Sequence, residues 1–262
     1  MAFIQVNNAN FYYELHGSGQ PLILIAGYAC DHSSWLPIFD KLTKHFQVLI
    51  FDNRAIGQTV DDDITLTTER MAHDVMALAD QLNLHSPHIL GHSMGGSIAQ
   101  TIAAFYPQAI YKLVILCSTA KWREVALQSL HSTFMMRKNN VDLNLILDSA
   151  LPWVFGDQFL KNKENIALFK KATLENPFFQ TVDDQYRQYK FLEQFDSRNF
   201  LDKICSPTLI AYGIEDLLSL PYEAKFLADK ISNAQLVEFD CAHEIMFESA
   251  NKLTQMLIDF LK

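Results

Sequence analysis

Ser93 stands in the pentapeptide Gly91-His92-Ser93-Met94-Gly95, which has the pattern G-x-S-x-G. The apolar run His88–Leu90 precedes this motif, and the helical pattern Ser97–Phe105 follows it. A nucleophile on a tight strand-to-helix turn needs small neighbours two residues away, because its backbone is strained and adjacent strands crowd it. The pentapeptide alone is common by chance, but its strand and helix flanks make it specific. The sequence therefore predicts a nucleophilic serine at this position.

A serine hydroxyl is a weak nucleophile and needs a base, usually a histidine that a carboxylate orients. The chain has nine histidines, and His243 lies in the loop after the last predicted strand. His92 flanks the serine, but strand alternation directs its side chain away. His88 opens a strand, and solvation or capping is the better interpretation of His16, His32, His45, His73, His85 and His131. We therefore predict His243 as the base.

The carboxylate is expected at the end of the predicted strand Thr208–Tyr212, which Glu215 and Asp216 follow. Open α/β sheets place their sites at the carboxyl ends of the strands. We predict that Asp216 orients the histidine, with Glu215 as the fallback, and we interpret Asp240 as a loop residue. The chain order serine, aspartate, histidine is the order found with nucleophile elbows and differs from other triad orders.

Acyl transfer also requires hydrogen-bond donors for a developing oxyanion. We predict that one donor is the backbone N–H of Met94, directly after the serine. The second is expected in the loop after the apolar run Leu22–Ile25, where Gly27 allows the backbone to turn the Tyr28 N–H inward. These two groups complete the predicted site.

The elements that must position these residues alternate between strand-sized apolar runs and helical patterns. A hairpin is predicted over Phe3–Val6 and Phe11–Leu15, and the helix over 71–82 has Thr67 or Thr68 as its predicted N-cap. The buried strands are predicted at Leu22–Ile25, Gln47–Phe51, His88–Leu90, Tyr111–Cys117, Thr208–Tyr212 and Gln235–Phe239. Such alternation predicts an α/β fold with a mostly parallel sheet and helices on both sides.

This alternation of strands and helices is interrupted over residues 121–200, where helical patterns occur without a strand between them. We therefore predict a core formed by 1–120 and 201–262, with 121–200 as an inserted helical cap. The insertion has 11 basic and 10 acidic residues, whereas the remainder has 10 and 20. It also holds 13 of the 31 aromatic residues, which serve either its own small core or a pocket.

Composition excludes several classes of function. A net charge of −9 disfavours nucleic acid as a partner, and the dinucleotide and phosphate-loop glycine patterns are absent from the sequence. Four scattered cysteines predict reduced thiols, with no metal site, in a cytoplasmic protein. The acidic run Asp61–Asp63 is more simply solvated than metal-binding. We also expect no signal peptide and no membrane insertion, because the longest apolar runs have only the length of strands.

Taken in order along the chain, these features resemble the α/β-hydrolase superfamily over nearly the whole length. The segments that carry the resemblance are the hairpin with His16–Pro21, the stretch Phe51–Gly57, the elbow and the His243 loop. The sequence is most similar to small lidded carboxylesterases, including 3-oxoadipate enol-lactonases and pimeloyl-acyl-carrier-protein methyl ester esterases. This resemblance implies an eight-stranded sheet, a helical cap after the sixth strand and ester hydrolysis without a cofactor.

The sequence departs from the family pattern at two places. Many relatives have His-Gly where this chain has Ala26-Gly27, and a glycine after Arg54 is commoner than Ala55. A backbone oxyanion donor survives the first change, although the polarity of the pocket wall differs. Family members with dehalogenase or epoxide-hydrolase activity use an aspartate nucleophile, which Ser93 disfavours.

Three functional hypotheses follow. The first is a serine hydrolase that cleaves a small-molecule carboxylic ester through an acyl-enzyme, with a lactone or a C–C bond as alternative substrates. The second is an esterase whose basic cap residues dock an acidic acyl carrier protein with a tethered ester; the residues are Lys121, Arg123, Arg137, Lys138, Lys161, Lys163, Lys170 and Lys171. The third is a ligand-binding receptor that retains a hydrolase fold.

Overall fold

A central sheet of eight strands organises the molecule, as the computed structural model of residues 2–262 shows; Met1, which opens the predicted core, lies outside them. The strands are β1 (Ala2–Val6), β2 (Ala9–His16), β3 (Pro21–Ile25), β4 (Gln47–Phe51), β5 (His88–His92), β6 (Leu113–Leu116), β7 (Thr208–Gly213) and β8 (Ala234–Phe239). Their order is β1-β2-β4-β3-β5-β6-β7-β8. Strand β2 is antiparallel to β1 and β4, and the remaining pairs are parallel. The predicted α/β fold is confirmed.

Helices cover both faces of this sheet. Those of the described chain are α1 (Leu36–Leu42), α2 (Thr68–Gln81), α3 (Met94–Phe105), α4 (Glu124–Lys138), α5 (Leu143–Val154), α6 (Asp157–Lys161), α7 (Lys163–Leu174), α8 (Val182–Gln194), α9 (Pro221–Lys230), α10 (Ile245–Glu248) and α11 (Ala250–Leu261). Helices α4 to α8 all lie between β6 and β7, in the stretch predicted to be helical. The division into core and cap as separate units stays a prediction, and we keep the name cap for 121–200.

The continuous apolar runs form strands that are buried on both faces. In β3, Leu22 and Leu24 pack with side chains of α1 and α11, whereas Ile23 and Ile25 pack with side chains of α2 and α3. All four are fully buried. Successive side chains of a strand point to opposite faces, so a strand covered on both sides must be apolar at every position.

Each predicted strand begins and ends within two residues of the observed strand, and β6 and helix α1 show how the structure differs from the prediction. Strand β6 is shorter than Tyr111–Cys117, because Tyr111 is half exposed and Cys117 has a positive φ of 46°, which turns the chain out of the ladder. Helix α1 was not predicted from the sequence. The start of α2 agrees with the predicted N-cap, since the Thr67 hydroxyl accepts a hydrogen bond from the Arg70 N–H. Within residues 2–262, no helix combines the length and the apolar character needed to cross a bilayer.

The contact between β5 and α3 requires glycine. A Cβ on Gly91 would overlap the Gly95 carbonyl oxygen, and a Cβ on Gly95 would overlap the Ile25 carbonyl oxygen. The strand, the turn and the helix can therefore approach each other only where these residues have no side chain. This close approach fixes the direction in which the turn presents Ser93.

We expect Gly95→Ala to lower the free energy of unfolding by at least about 2 kcal/mol, although alanine favours a helix, because backbone atoms leave no room for the methyl group. Gly156→Ala is the matched control: its Cβ would meet only the carboxylate ends of Glu215 and Glu248, which can move. Urea denaturation of both variants measures the difference. Equal midpoints would contradict the steric account.

Candidate active site

The structure brings Ser93, His243 and Asp216 together. The Ser93 Oγ lies 2.8 Å from His243 Nε2, and His243 Nδ1 lies 2.8 Å from Asp216 Oδ2. All three side chains are buried, with Ser93 retaining 7% exposure. They come from the β5–α3 turn and from the loops that follow β7 and β8, all at the carboxyl edge of the sheet. The residues are therefore in direct contact although 150 positions separate the serine from the histidine.

Ser93 has an unusual backbone conformation, with φ 53° and ψ −118°. Its N–H donates to the Leu116 carbonyl oxygen of β6 at 2.9 Å, which ties the turn to the neighbouring strand. A non-glycine residue in such a conformation costs of order 1–3 kcal/mol and persists only where its surroundings enforce it. The strain and the tie together aim the hydroxyl at His243.

Asp216 is held as a carboxylate acceptor by four donors. Its Oδ1 accepts the Leu218 and Ser219 N–H groups at 2.8 and 3.0 Å. Its Oδ2 accepts the Ser219 hydroxyl at 2.7 Å as well as the His243 ring. The side chain therefore has one orientation, directed at the histidine.

The environment of His243 determines its charge. Burial lowers its pKa, but the charge of Asp216 and the hydrogen bond to it outweigh burial and leave the pKa above the ordinary 6.5. Because Nδ1 donates to the Asp216 carboxylate, Nε2 of the neutral ring is left as an acceptor for the Ser93 hydroxyl. The arrangement can therefore remove the proton of that hydroxyl.

His92 contributes in a way that the sequence did not reveal. Its Nε2 donates to the His243 carbonyl oxygen at 2.9 Å, and the two rings lie 5.1 Å apart. Burial and the nearby His243 lower the pKa of His92 to about 3, which keeps the ring neutral. The Ser93 hydroxyl is bonded to His243 and not to His92, and His92 instead supports the loop that carries His243.

The predicted oxyanion loop lies beside the serine. A Cβ on Gly27 would stand 3.2 Å from the Ser93 Cβ, and the Cys30 N–H donates to the Gly27 carbonyl oxygen at 3.3 Å to close a tight turn. Neither the Tyr28 N–H nor the Met94 N–H donates to another group within residues 2–262. Both predicted donors are thus free to bind a ligand oxygen.

Glutamines of the cap hold this loop and its neighbour. Gln188, fully buried in α8, accepts the Ala29 N–H at 2.9 Å and donates to the Arg54 carbonyl oxygen at 3.0 Å. Gln180 donates to the Ala55 carbonyl oxygen at 2.6 Å. Ala29 and Ala55 both have positive φ, at 56° and 63°. The cap therefore stabilises two non-glycine residues in left-handed conformations next to the site.

The alternative acids occupy other positions. Glu215 accepts the Asp157 N–H of α6 at 2.7 Å, and Asp240 is exposed. Glu248 accepts the N–H groups of Ala242 and Gly156 at 2.9 and 3.0 Å. These glutamates attach the start of α6 to the loops of Asp216 and His243, so they link the cap to the site instead of replacing Asp216.

A second group of ligand-type side chains, Asp31, His32 and Asp52, lies nearby within mutual reach of one ion. Its oxygens already accept protein donors: Asp52 Oδ1 accepts the His32 N–H at 2.8 Å and faces the His32 ring at 2.7 Å. Asp31 Oδ2 accepts the Asn176 amide of the cap at 2.6 Å. The group therefore serves as a hydrogen-bonded tie between the loop, β4 and the cap.

The acidic run Asp61–Asp63 is not simply solvated, contrary to the interpretation from the sequence. Asp61 pairs with Arg187 at 3.0 Å, and Asp62 pairs with Arg70 and with the fully buried Arg54. These ion pairs attach the loop after β4 to helices α2 and α8. Their cationic partners explain the run without a metal ion.

Comparison with known proteins identifies the family of this chain. A family model described as the alpha/beta hydrolase fold matches residues 20–250. A protein provisionally named carbamate hydrolase RutD, from Azorhizobium caulinodans, is 27% identical and covers 99% of this chain and 98% of its own. 3-Oxoadipate enol-lactonase 1 of Acinetobacter baylyi is 27% identical, over 88% and 85% of the two chains. The crystal structure of the α/β hydrolase MGS-M2, from a Medee basin deep-sea metagenome library, has a TM-score of 0.90 at 25% identity, covering 99% and 97%.

We expect Gln188→Met to lower the free energy of unfolding by about 2 kcal/mol, because it leaves the buried Arg54 carbonyl oxygen, and also the part-buried Ala29 N–H, without a partner. It should also accelerate hydrogen exchange at the Ala29 amide. Gln194→Met, exposed on the same helix, is the matched control. Urea denaturation and amide exchange measure both effects, and unchanged exchange at Ala29 would contradict the role of Gln188.

Proposed function

Because this chain belongs to the α/β-hydrolase family, we propose that it is a serine hydrolase that cleaves a carboxylic ester through an acyl-enzyme. The observation that supports the proposal most strongly is the continuous hydrogen-bonded series from Ser93 through His243 to Asp216. Nucleophile, base and orienting acid stand there within hydrogen-bond reach of one another, which is the arrangement that activates a serine.

The proposed reaction has two halves. His243 removes the hydroxyl proton as Ser93 Oγ attacks the ester carbonyl, and Asp216 stabilises the resulting imidazolium. His243 then passes the proton to the leaving alcohol, which gives an ester between the acyl group and Ser93. Water, deprotonated by the same histidine, attacks the acyl carbonyl; the bond to Ser93 Oγ breaks, His243 returns the proton to that oxygen, and the acid is released. The protein's own groups suffice for every step of this cycle.

The charge that develops on the carbonyl oxygen needs donors fixed in advance. We assign this role to the N–H groups of Tyr28 and Met94, with Gly27 allowing the close approach to Ser93. The N-terminus of α3 contributes a favourable dipole at the same place. Loss of one such donor typically costs a hundredfold or more, of order 10²–10³, in turnover.

The comparisons bear on the bond that is cleaved. One relative is named as an enol-lactonase, and a lactone is a cyclic ester that the same steps would open. A carbamate, which the name of another relative mentions, also presents a carbonyl carbon with a leaving group. We retain the ester as the principal substrate class, because the two halves of the proposed reaction require only an acyl group and a leaving alcohol.

The cap gives little support to docking of an acyl carrier protein. Most of its basic side chains are paired with carboxylates of the chain itself, namely those of Lys121, Arg123, Lys161, Lys170 and Lys171. Paired charges attract an acidic partner less than free ones do. The receptor hypothesis is separated from the enzyme by the experiment that follows.

We expect the protein to hydrolyse p-nitrophenyl esters with an optimum at one acyl length and to react with a fluorophosphonate at Ser93. Ser93→Ala should abolish turnover and labelling without changing the fold. Ser132→Ala, an exposed cap serine, is the matched control and should behave as the wild type. Release of p-nitrophenol and mass spectrometry of the labelled protein provide the measurements; full activity of Ser93→Ala would refute the proposal.

We expect kcat/KM to fall on the acid side with a midpoint above 6.5, because protonation of His243 removes the base and its pKa is raised. In Asp216→Asn the midpoint should move to lower pH, because burial lowers the pKa of His243 and the charge that raises it is lost. Turnover should fall on the order of a thousandfold or more. Rates across the pH range measure both.

Glu244 is the control for this measurement. Burial raises the pKa of its carboxyl group to about 7, so it titrates in the same range as His243. Its charge contributes to the raised pKa of His243 less than Asp216 does, so Glu244→Gln should move the midpoint less. A larger shift in Glu244→Gln than in Asp216→Asn would contradict the assignment of Asp216.

A further inference from the structure

Arg137 is a cation without a counterion inside the cap. The chain has six arginines, and each of the others lies within 4 Å of a carboxylate oxygen, namely Arg54, Arg70, Arg123, Arg187 and Arg198. Within the described chain, the Arg137 guanidinium instead meets neutral groups: the Gln185 side-chain oxygen at 2.8 Å, the Gln180 carbonyl oxygen, and the Phe179 ring at 4.6 Å from its centroid. In a chain of net charge −9, this neutral environment is exceptional.

The Tyr28 hydroxyl beside it lacks an acceptor. Its oxygen is buried and has no hydrogen-bond partner within residues 2–262. The Gln185 side chain and the Arg137 charge both act on this hydroxyl to lower its pKa. Burial nevertheless dominates and raises the pKa of Tyr28, so the hydroxyl keeps its proton.

Both features are costly unless something binds there. The half-buried guanidinium has no anion and only two of its N–H bonds paired, and the buried hydroxyl has no acceptor, so the protein replaces only part of the hydration that they lose. The same group would satisfy both, namely an anionic oxygen that accepts from the guanidinium and from the hydroxyl. Three of the five N–H bonds of Arg137 donate to no group within residues 2–262.

Contacts with α8 relate this pair to the site. Arg137 donates to Gln185 of α8, and Gln188, one turn later, accepts the Ala29 N–H beside Tyr28. Gly27, directly before Tyr28, lies against Ser93, so Tyr28 lies between the serine and this part of the cap. A single unpaired cation matches an anion of one negative charge, and the planar fork of a guanidinium matches a carboxylate. A phosphate monoester, with nearly two charges, would call for more basic groups.

We propose that Arg137 and the Tyr28 hydroxyl bind the free carboxylate of the substrate, which is an ester or lactone with a carboxylate about one tyrosine side chain from the reacting carbonyl. This inference rests on the proposed function, because it assigns the substrate class of the same site. Monoesters of dicarboxylic acids have this form, with the carboxylate held beneath the cap and the ester carbonyl at Ser93.

The test compares monomethyl esters of dicarboxylic acids, from succinate to suberate, with neutral analogues in which a carboxamide replaces the free carboxylate. The wild type should prefer the anion by about tenfold or more in kcat/KM at one chain length, chiefly through KM. Arg137→Gln should bring the ratio close to unity, and Arg137→Lys, which keeps the charge but not the fork, should give an intermediate ratio. Lys138→Gln removes the same charge from the next residue of α4 and should keep the wild-type ratio.

A preference below twofold at every length, or an equal loss in Lys138→Gln and Arg137→Gln, would overturn the proposal. If neutral esters are hydrolysed in that case, the serine hydrolase assignment survives without the carboxylate site. Thermal unfolding of each variant establishes that it is folded before its ratio is interpreted.

A binding experiment tests the carboxylate site independently of hydrolase activity. Calorimetry of Ser93→Ala with each free dicarboxylate, and with the corresponding diamide, measures recognition without turnover. Binding of the dicarboxylate that is lost in Ser93→Ala/Arg137→Gln would support the carboxylate site even if no ester were hydrolysed. Equal binding of dicarboxylate and diamide would overturn it.

Discussion

The backbone strain at Ser93 is the constraint on which the surrounding structure depends. With φ 53° and ψ −118°, the residue keeps its conformation only because β5, α3 and β6 enclose it. Gly91 and Gly95 let the strand and the helix approach, and β5 runs between β3 and β6 in the middle of the sheet. Because these strands are parallel, their carboxyl ends meet at one edge, where the loops after β3, β7 and β8 surround the serine.

The sequence was sufficient for the sheet and for the three residues that the structure brings together, for different reasons. Apolar runs such as Leu22–Ile25 predict strands, because a strand that is buried on both faces needs an apolar residue at every position. The serine and the histidine carry strong local patterns, a strained turn and a loop directly after an apolar strand, whereas the loop after Thr208–Tyr212 offered Asp216 with Glu215 as the fallback. Their contact is a property of the parallel sheet, so predicting the strands was enough to predict their proximity.

Other features could not be predicted because their partners are backbone groups far along the chain. Gln188 resembles any polar residue of an amphipathic helix, yet its partner, the Ala29 N–H, lies 159 positions away. His92 acts on the carbonyl oxygen of a residue 151 positions away, and a carbonyl carries no sequence signal. Helix α1 has only seven residues and a proline in its first turn, so it is too short for its hydrophobic periodicity to identify it. The true end of β6 depends on a local backbone turn at Cys117.

The attachment of the cap by Gln188 has a consequence for the timing of solvent access. Any opening that lifts α8 away breaks the bond to the Ala29 N–H, so the loop carrying the Tyr28 N–H loses its anchor as bulk water enters. A protein with α8 lifted would be accessible but disorganised, whereas this structure is organised and leaves only 7% of Ser93 exposed. In the proposed reaction, exchange of substrate and product would therefore alternate with chemistry, and the water that hydrolyses the proposed acyl-enzyme would be one already enclosed with it.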